Sequence, residues 1–107
     1  MSLIRRLWPF SREQPRDPLQ MIAVLLDQSN DLGSRDDIAK HLGAFDLPEV
    51  EAALVTIASN AAEEELVVDS AGESLLQIYK RQNRTVPADV LAHLQPSAKK
   101  FFQPHDV

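Results

Sequence analysis

The sequence contains 107 residues, of which 44% are hydrophobic and 25% are charged, and its formal net charge is −5. This composition is typical of a single globular domain, and no apolar run approaches the roughly 20 residues that a membrane-spanning helix requires. The chain has no cysteine, which excludes disulfide bonds and thiolate chemistry. The N-terminus lacks the uninterrupted apolar region of a secretory signal, so we expect a cytoplasmic protein.

The charges are distributed unevenly along the chain. Between Asp17 and Tyr79 there are 13 acidic and two basic residues, whereas the two flanks together hold nine basic and three acidic residues. Such asymmetry is typical of tails that contact a partner, although an ordinary solvated surface explains it equally well.

Residues 1–16 are predicted to form a basic amphipathic extension and linker ahead of the domain. Its apolar residues recur at helical spacing, and Pro9 limits any helix to about two turns. One hypothesis is peripheral membrane association, in which tryptophan lies at the headgroups and arginine contacts anionic lipid. The lipid-binding residues would be Leu3, Ile4, Arg5, Arg6, Leu7 and Trp8. Two turns bury little area, so the favoured alternative is that Trp8 and Phe10 fold back onto the domain or dock on a protein partner.

Three helices are predicted to follow. The first begins at Pro18 with Asp17 as its cap, the second begins after a Ser34 cap and ends at a left-handed Gly43, and the third begins after an Asp46 cap. The loop between the first two alternates acidic and polar residues, as calcium loops do. It lacks the turn glycine and the final glutamate of that motif, so a calcium site is rejected.

The pattern then changes to two short segments with strand propensity, "EELVVD" and "ESLLQIYK", separated by "SAG". Gly72 would supply the positive φ of a tight turn, so we expect a β-hairpin here. A short helix through Val90, Leu91 and Leu94 should follow, and then a loose tail.

Three helices followed by a hairpin is the order of elements in winged-helix domains, a branch of the helix-turn-helix superfamily, and residues 17–80 resemble it. The resemblance rests on "IAKHLG" at residues 38–43, on Val50, Leu54 and Ile57 of the third helix, and on the hairpin, which would be the wing. It implies a mainly α fold with a small antiparallel β-hairpin, a winged-helix-like three-helix core plus a C-terminal helix. The domains would be the extension at 1–16, the winged-helix-like domain at 17–80, and a C-terminal helix and tail at 81–107. The turn after Gly43 is one residue longer than is usual in that family.

In DNA-binding members of the superfamily, the third helix lies in the major groove. Here its outward positions carry no basic residue, so it would lack the cations that neutralise phosphates. The same helix presents a small, weakly polar stripe that suits a protein partner, although one exposed aliphatic residue is also common on any surface. With the two aromatic residues of the extension, the predicted partner-binding residues are Trp8, Phe10, Pro48, Ala52, Val55 and Ser59.

The alternative is a DNA-binding transcriptional regulator that contacts DNA through the wing and its basic flanks. Its nucleic-acid-binding residues would be Lys80, Arg81 and Arg84, which follow the second predicted strand. Binding of this kind would weaken steeply with salt.

Catalytic chemistry is not predicted. The three histidines are scattered, none of the common nucleophile, phosphate-loop or metal motifs occurs, and the acidic run at 63–65 is interpreted as solvated charge before the wing. We therefore expect no catalytic residues, no cofactor, no metal and no small-molecule substrate. The favoured function is a non-catalytic protein-interaction module, acting as an adaptor, a dimer or a small subunit of an assembly.

Overall fold

The structure is a computed structural model that describes residues 17–103. This part of the chain contains six helices and no strand, and none of these helices is long and apolar enough to cross a membrane. The helices are α1 (Pro18–Leu26), α2 (Leu32–Leu42), α3 (Pro48–Ala58), α4 (Glu65–Arg81), α5 (Ala88–His93) and α6 (Pro96–Lys99).

The start of α1 agrees with the sequence, but α2 begins earlier than predicted. Asp17 accepts a hydrogen bond from the backbone N–H of Gln20, and Pro18 occupies the first turn, where its missing N–H costs nothing. At α2 the cap is Asp31, whose carboxylate accepts from the Ser34 N–H at 2.7 Å. The prediction that Ser34 is the cap is therefore wrong, because Asp31 caps one turn earlier.

The predicted cap of α3 is also wrong. Leu47 occupies the N-cap position without a side-chain hydrogen bond, and the Asp46 carboxylate instead accepts from Arg81 at 2.7 Å and from Gln82 at 2.9 Å. The fold brings Arg81 close to Asp46, so the Asp46 carboxylate binds the guanidinium instead of capping α3. The first turn still contains Glu49 and Glu51, whose charge is favourable beside the helix N-terminus.

The predicted β-hairpin does not exist, because its residues form the 17-residue helix α4. Val67, Ala71, Leu75 and Ile78 recur at intervals of three and four residues, and each is at most 1% exposed. This spacing is that of one face of a helix. Each short apolar run taken alone is also compatible with a strand, which is why the sequence predicted a hairpin. The fold class of the described chain is consequently all-α, and the segment expected to form a wing is the central helix.

Two glycines lie where helices approach one another closely, and neither lies in a left-handed turn. A Cβ on Gly72, inside α4, would lie 2.6 Å from the Cα of Ala98 in α6. A Cβ on Gly43, the C-cap of α2, would lie 2.6 Å from the side-chain oxygen of Gln77. The φ of Gly43 is −61°, so the predicted left-handed ending of α2 is wrong, and no glycine in the described residues has a positive φ.

The helices form two hairpins, α1–α2 and α3–α4, which pack side by side with α1 against α3 and α2 against α4. Hydrogen bonds between α2 and α4 follow one another in the same direction along both helices. Ser70 donates to the Asp36 carboxylate, Ser74 to the carbonyl of Ala39 at 2.5 Å, and Arg81 to the carbonyl of Gly43 at 2.9 Å. These bonds show that α2 and α4 run parallel. The α3–α4 hairpin therefore points in the same direction as the α1–α2 hairpin that precedes it in the chain.

The predicted C-terminal helix is present as two short helices, α5 and α6. Leu94, between them, is 4% exposed, while Val90 and Leu91 are half-buried against the core. The backbone N–H of Gln95 donates to the carbonyl of Ala58 at 2.8 Å, so the chain crosses the end of α3 before α6 packs on α4. This segment covers the side of α4 that the two hairpins leave open.

Candidate interaction surface

The predicted residues of the N-terminal extension lie outside the described residues. They comprise both aromatic partner-binding residues and the whole proposed lipid-binding set: Leu3, Ile4, Arg5, Arg6, Leu7, Trp8 and Phe10. Their roles in binding a protein partner or a lipid surface remain predictions from the sequence.

The predicted stripe on α3 is open at one end only. Pro48 and Ala52 are exposed and lie beside Leu47, which is 40% exposed. Val55 is half-buried and packs against the core, and the Ser59 hydroxyl is buried with no hydrogen-bond partner among residues 17–103. The C-terminal segment crosses this end of α3. The four residues therefore share a helix side, but two of them offer little area to a partner.

Two of the three predicted nucleic-acid-binding residues are in ion pairs within the fold. Arg81 pairs with Asp46 and donates to two backbone carbonyls, and Arg84 pairs with Glu51 at 2.8 Å. Lys80 is exposed and has no ion-pair partner within the described range. A phosphate would have to displace two carboxylates before it met these arginines.

A cluster around Tyr79 was not predicted from the sequence. The Tyr79 hydroxyl donates to Glu51 at 2.7 Å, and the Arg84 guanidinium lies 4.8 Å from the centre of the tyrosine ring while also binding Glu51. Burial, followed by the hydrogen bond to Glu51, raises the pKa of Tyr79 to about 12. The cluster joins the end of α4 to the start of α3 and leaves none of its groups free to act on a substrate.

A second ion pair, between Arg35 and Glu63, is almost completely buried. The side chains are 3% and 2% exposed, and the guanidinium binds both carboxylate oxygens, at 2.9 and 2.6 Å. Arg35 also donates to the carbonyl of Leu25 at 2.9 Å, near the end of α1. The hydrogen bonds from Arg35 hold the pKa of Glu63 below its ordinary value despite burial. The interpretation of Glu63 as solvated charge is therefore wrong, since the fold buries it against Arg35.

The clearest unpartnered apolar surface is on α1. We define the α1 outer face as Leu19, Ile22, Ala23 and Leu26, whose spacing places them on one side of the helix. Leu19 is 53% and Leu26 44% exposed, and Ala23 is exposed. Ile22 is half-buried and packs partly against the core, so the open area comes mainly from the other three residues. Met21 and Leu25 on the opposite side are buried in the core. Leu32, 40% exposed, follows in the next helix. None of the four residues of the α1 outer face is among the partner-binding residues predicted from the sequence.

Acidic side chains lie at both ends of the α1 outer face. Asp17 precedes the helix and Asp27 follows it, and hydrogen bonds from Ser29 lower the pKa of Asp27. Asp31, whose pKa is lowered by the Ser34 N–H, stands before Leu32. The surface thus offers apolar side chains between anionic ends.

Two shallow grooves lie beside α6, and the larger, of about 410 Å³, is lined by Glu65, Leu66, Asp69, Ser97 and Lys100. The smaller groove, of about 230 Å³, lies between the α3–α4 loop and α6, lined mainly by polar and acidic residues. The described residues contain no group of three potential metal ligands. His41 and His93 are exposed, and each ring contacts the backbone carbonyl four residues earlier at 2.8 Å.

Comparisons with known proteins give no family for this chain: no protein-family model, no curated protein and no solved structure matches it. The function must therefore be argued from its own residues.

Proposed function

We propose that this protein is a non-catalytic protein-interaction module, an adaptor or small subunit that binds another polypeptide through the α1 outer face. The observation that carries the proposal is the exposure of Leu19 and Leu26 on one side of a helix that buries Met21 and Leu25 on the other. Exposed large apolar side chains that adjoin one another are typical of a binding surface, whereas single ones are not. The exposed start of α3, with Pro48 and Ala52, is a second contact region on the same domain.

The chemistry of the surface specifies the kind of partner. An apolar helix stripe between Asp17 and Asp27 suits an amphipathic segment that carries basic residues at its ends, as in helix-in-groove recognition. α1 packs against α2 and α3, and its side with Leu19 and Leu26 stays exposed within residues 17–103. The winged-helix resemblance does not support this proposal, since the residues expected to form the wing make up α4.

A DNA-binding role has less support. It would use Lys80, Arg81 and Arg84, and two of these cations are already neutralised by carboxylates. The usual dominant contribution to DNA affinity comes from cations that release counterions from phosphates.

The test is a pull-down from native lysate with the wild-type chain and with the double variant Leu19→Glu/Leu26→Glu. Both positions are exposed, so the variant should fold with little change in stability. We expect a protein that the wild type captures with or without nuclease and that the double variant fails to capture.

The control is Leu66→Glu, which makes the same type of substitution once, at a leucine 50% exposed at the start of α4. It should capture the partner as the wild type does. Equal capture by the double variant and the wild type would refute the proposed surface, and loss of capture on nuclease treatment would favour the nucleic-acid alternative.

A further inference from the structure

We propose that residues 3–10 of this same chain pack against the α1 outer face and cover it in the isolated protein. The inference concerns the same surface as the proposed function, but it requires no partner. Three features of the chain support it: the place where the segment is attached, its apolar residues and its charge.

The attachment point places the segment beside the face. Sixteen residues precede Asp17, and α1 begins at Pro18. A nine-residue helix is about 14 Å long, and the seven residues 11–17 can span up to about 24 Å when extended. Residues 3–10 can therefore fold back along the full length of α1. A connection of this length is ordinary between neighbouring antiparallel helices.

The segment and the α1 outer face both carry apolar residues at helical spacing. Residues 3–10 contain Leu3, Ile4, Leu7, Trp8 and Phe10. The first four recur at helical spacing, and they would meet a helix face of four apolar residues. Burial of this surface removes both stripes from water, which stabilises the docked arrangement in proportion to the apolar area covered.

The charges are also complementary. Residues 1–16 contain four arginines and one glutamate, whereas residues 17–103 contain 14 acidic and seven lysine or arginine residues. Five of those seven cations are already in ion pairs within the domain. An anionic domain with few unpaired cations attracts the basic segment tethered to it, and Asp17 and Asp27 flank α1 in the chain.

Docking in cis has a consequence for recognition. A partner that binds the α1 outer face would have to displace residues 3–10, so its apparent affinity would be reduced by the fraction of closed molecules. Deletion of residues 1–12 should then strengthen partner capture. The segment would act as an intramolecular competitor for this surface.

The chain contains a direct probe of docking, because Trp8 is its only tryptophan. We would measure the fluorescence emission and acrylamide quenching of the full-length protein and of a synthetic peptide of residues 1–16. The expected emission of the protein is blue-shifted relative to the peptide, and its quenching constant is smaller. In Leu19→Glu/Leu26→Glu both quantities should move to the peptide values, while in Leu66→Glu they should stay as in the wild type. Far-UV circular dichroism of each variant checks that the domain is folded.

Four results would overturn the inference. Trp8 in the wild type could match the free peptide, which would mean that the segment does not dock. The blue shift could survive the double substitution, which would place Trp8 elsewhere on the domain. It could grow with protein concentration, which would indicate docking on a second copy, or it could require anionic vesicles, which would indicate a membrane. None of these measurements involves a partner, so failure here is distinct from failure of the pull-down.

Discussion

At the scale of single residues, the domain uses most of its cations internally. Arg35, Arg81 and Arg84 each bind a carboxylate that is distant in sequence, and each joins two elements of the fold. Pairs that are exposed to water contribute little to stability, but a buried pair is costly to break because one charge is left without a partner. The Arg35–Glu63 pair is of the second kind.

We predict that Glu63→Gln lowers the free energy of unfolding by about 3–5 kcal/mol, the usual cost of removing one member of a buried ion pair. The buried Arg35 would lose its anionic partner, although the amide could still accept one hydrogen bond. Urea unfolding of both proteins at neutral pH measures the difference. The control Glu64→Gln, at the exposed neighbouring residue, should leave the unfolding midpoint nearly unchanged.

The same pair should contribute to the pH dependence of stability. The folded pKa of Glu63 lies below its ordinary value of 4.5, so its contribution is complete above that pH and is lost as pH falls through the folded pKa. The wild type should therefore lose more unfolding free energy on acidification than Glu63→Gln does. Equal slopes for the two proteins would contradict the assignment.

Tyr79 offers a second test, because it is the only tyrosine in the chain. Its pKa is raised to about 12 by burial and by the hydrogen bond to Glu51, so alkaline titration of phenolate absorbance should have its midpoint near that value in the folded protein. In concentrated urea the midpoint should return to the ordinary value of 10.0. The raised folded pKa stabilises the protein below pH 10, and this contribution is lost as pH rises toward 12. A midpoint near 10 in the folded state would show that the hydroxyl is not held as described.

At the scale of elements, α4 determines the fold. Its buried residues lie on most of its circumference, so it packs against α2, α3 and α6 at once. Gly72 makes the contact with α6 possible, since any side chain there would meet the backbone of Ala98. Glycine is otherwise unfavourable inside a helix, and its presence here follows from the close approach.

We predict that Gly72→Ala destabilises the protein by about 1–3 kcal/mol, because overpacking outweighs the gain in helix propensity. The matched control is Gly33→Ala in α2, where the added Cβ would meet only Asp31 Oδ2, at 3.5 Å. At such an unhindered site alanine should be neutral or stabilise by up to about 1 kcal/mol. Thermal unfolding of the two variants should therefore shift in different directions, and a stabilising Gly72→Ala would disprove the close packing of α6.

At the scale of the whole molecule, the two hairpins pack side by side and leave the α1 outer face uncovered within residues 17–103. The C-terminal segment closes the other side of the stack, where α6 lies on α4 and Leu94 enters the core. The α1 outer face has no such cover within residues 17–103, and this asymmetry is why both proposals concern the N-terminal side of the domain. The pull-down and the Trp8 fluorescence measurements test the molecule at this scale.

The sequence by itself determined the features that depend on neighbouring residues. Asp17 and Pro18 specify the start of α1, and the apolar periodicity of the first three helices specifies which residues of α2 and α3 are buried. Capping and amphipathic periodicity are local, so they can be read without knowing what packs against the helix. The absence of cations from the outward side of α3 was likewise visible in the sequence.

Only the tertiary structure decided the rest. From its sequence neighbours alone, Gly72 could lie in a hairpin turn or at a close contact between helices. Its contact with Ala98 shows that it is the second. Asp46 could cap α3 or bind Arg81, and Glu63 could be solvated or buried, until residues far along the chain were brought beside them. The exposed side of α1 was likewise undetermined, because an apolar helix shows which of its faces is uncovered only when its neighbours are in place.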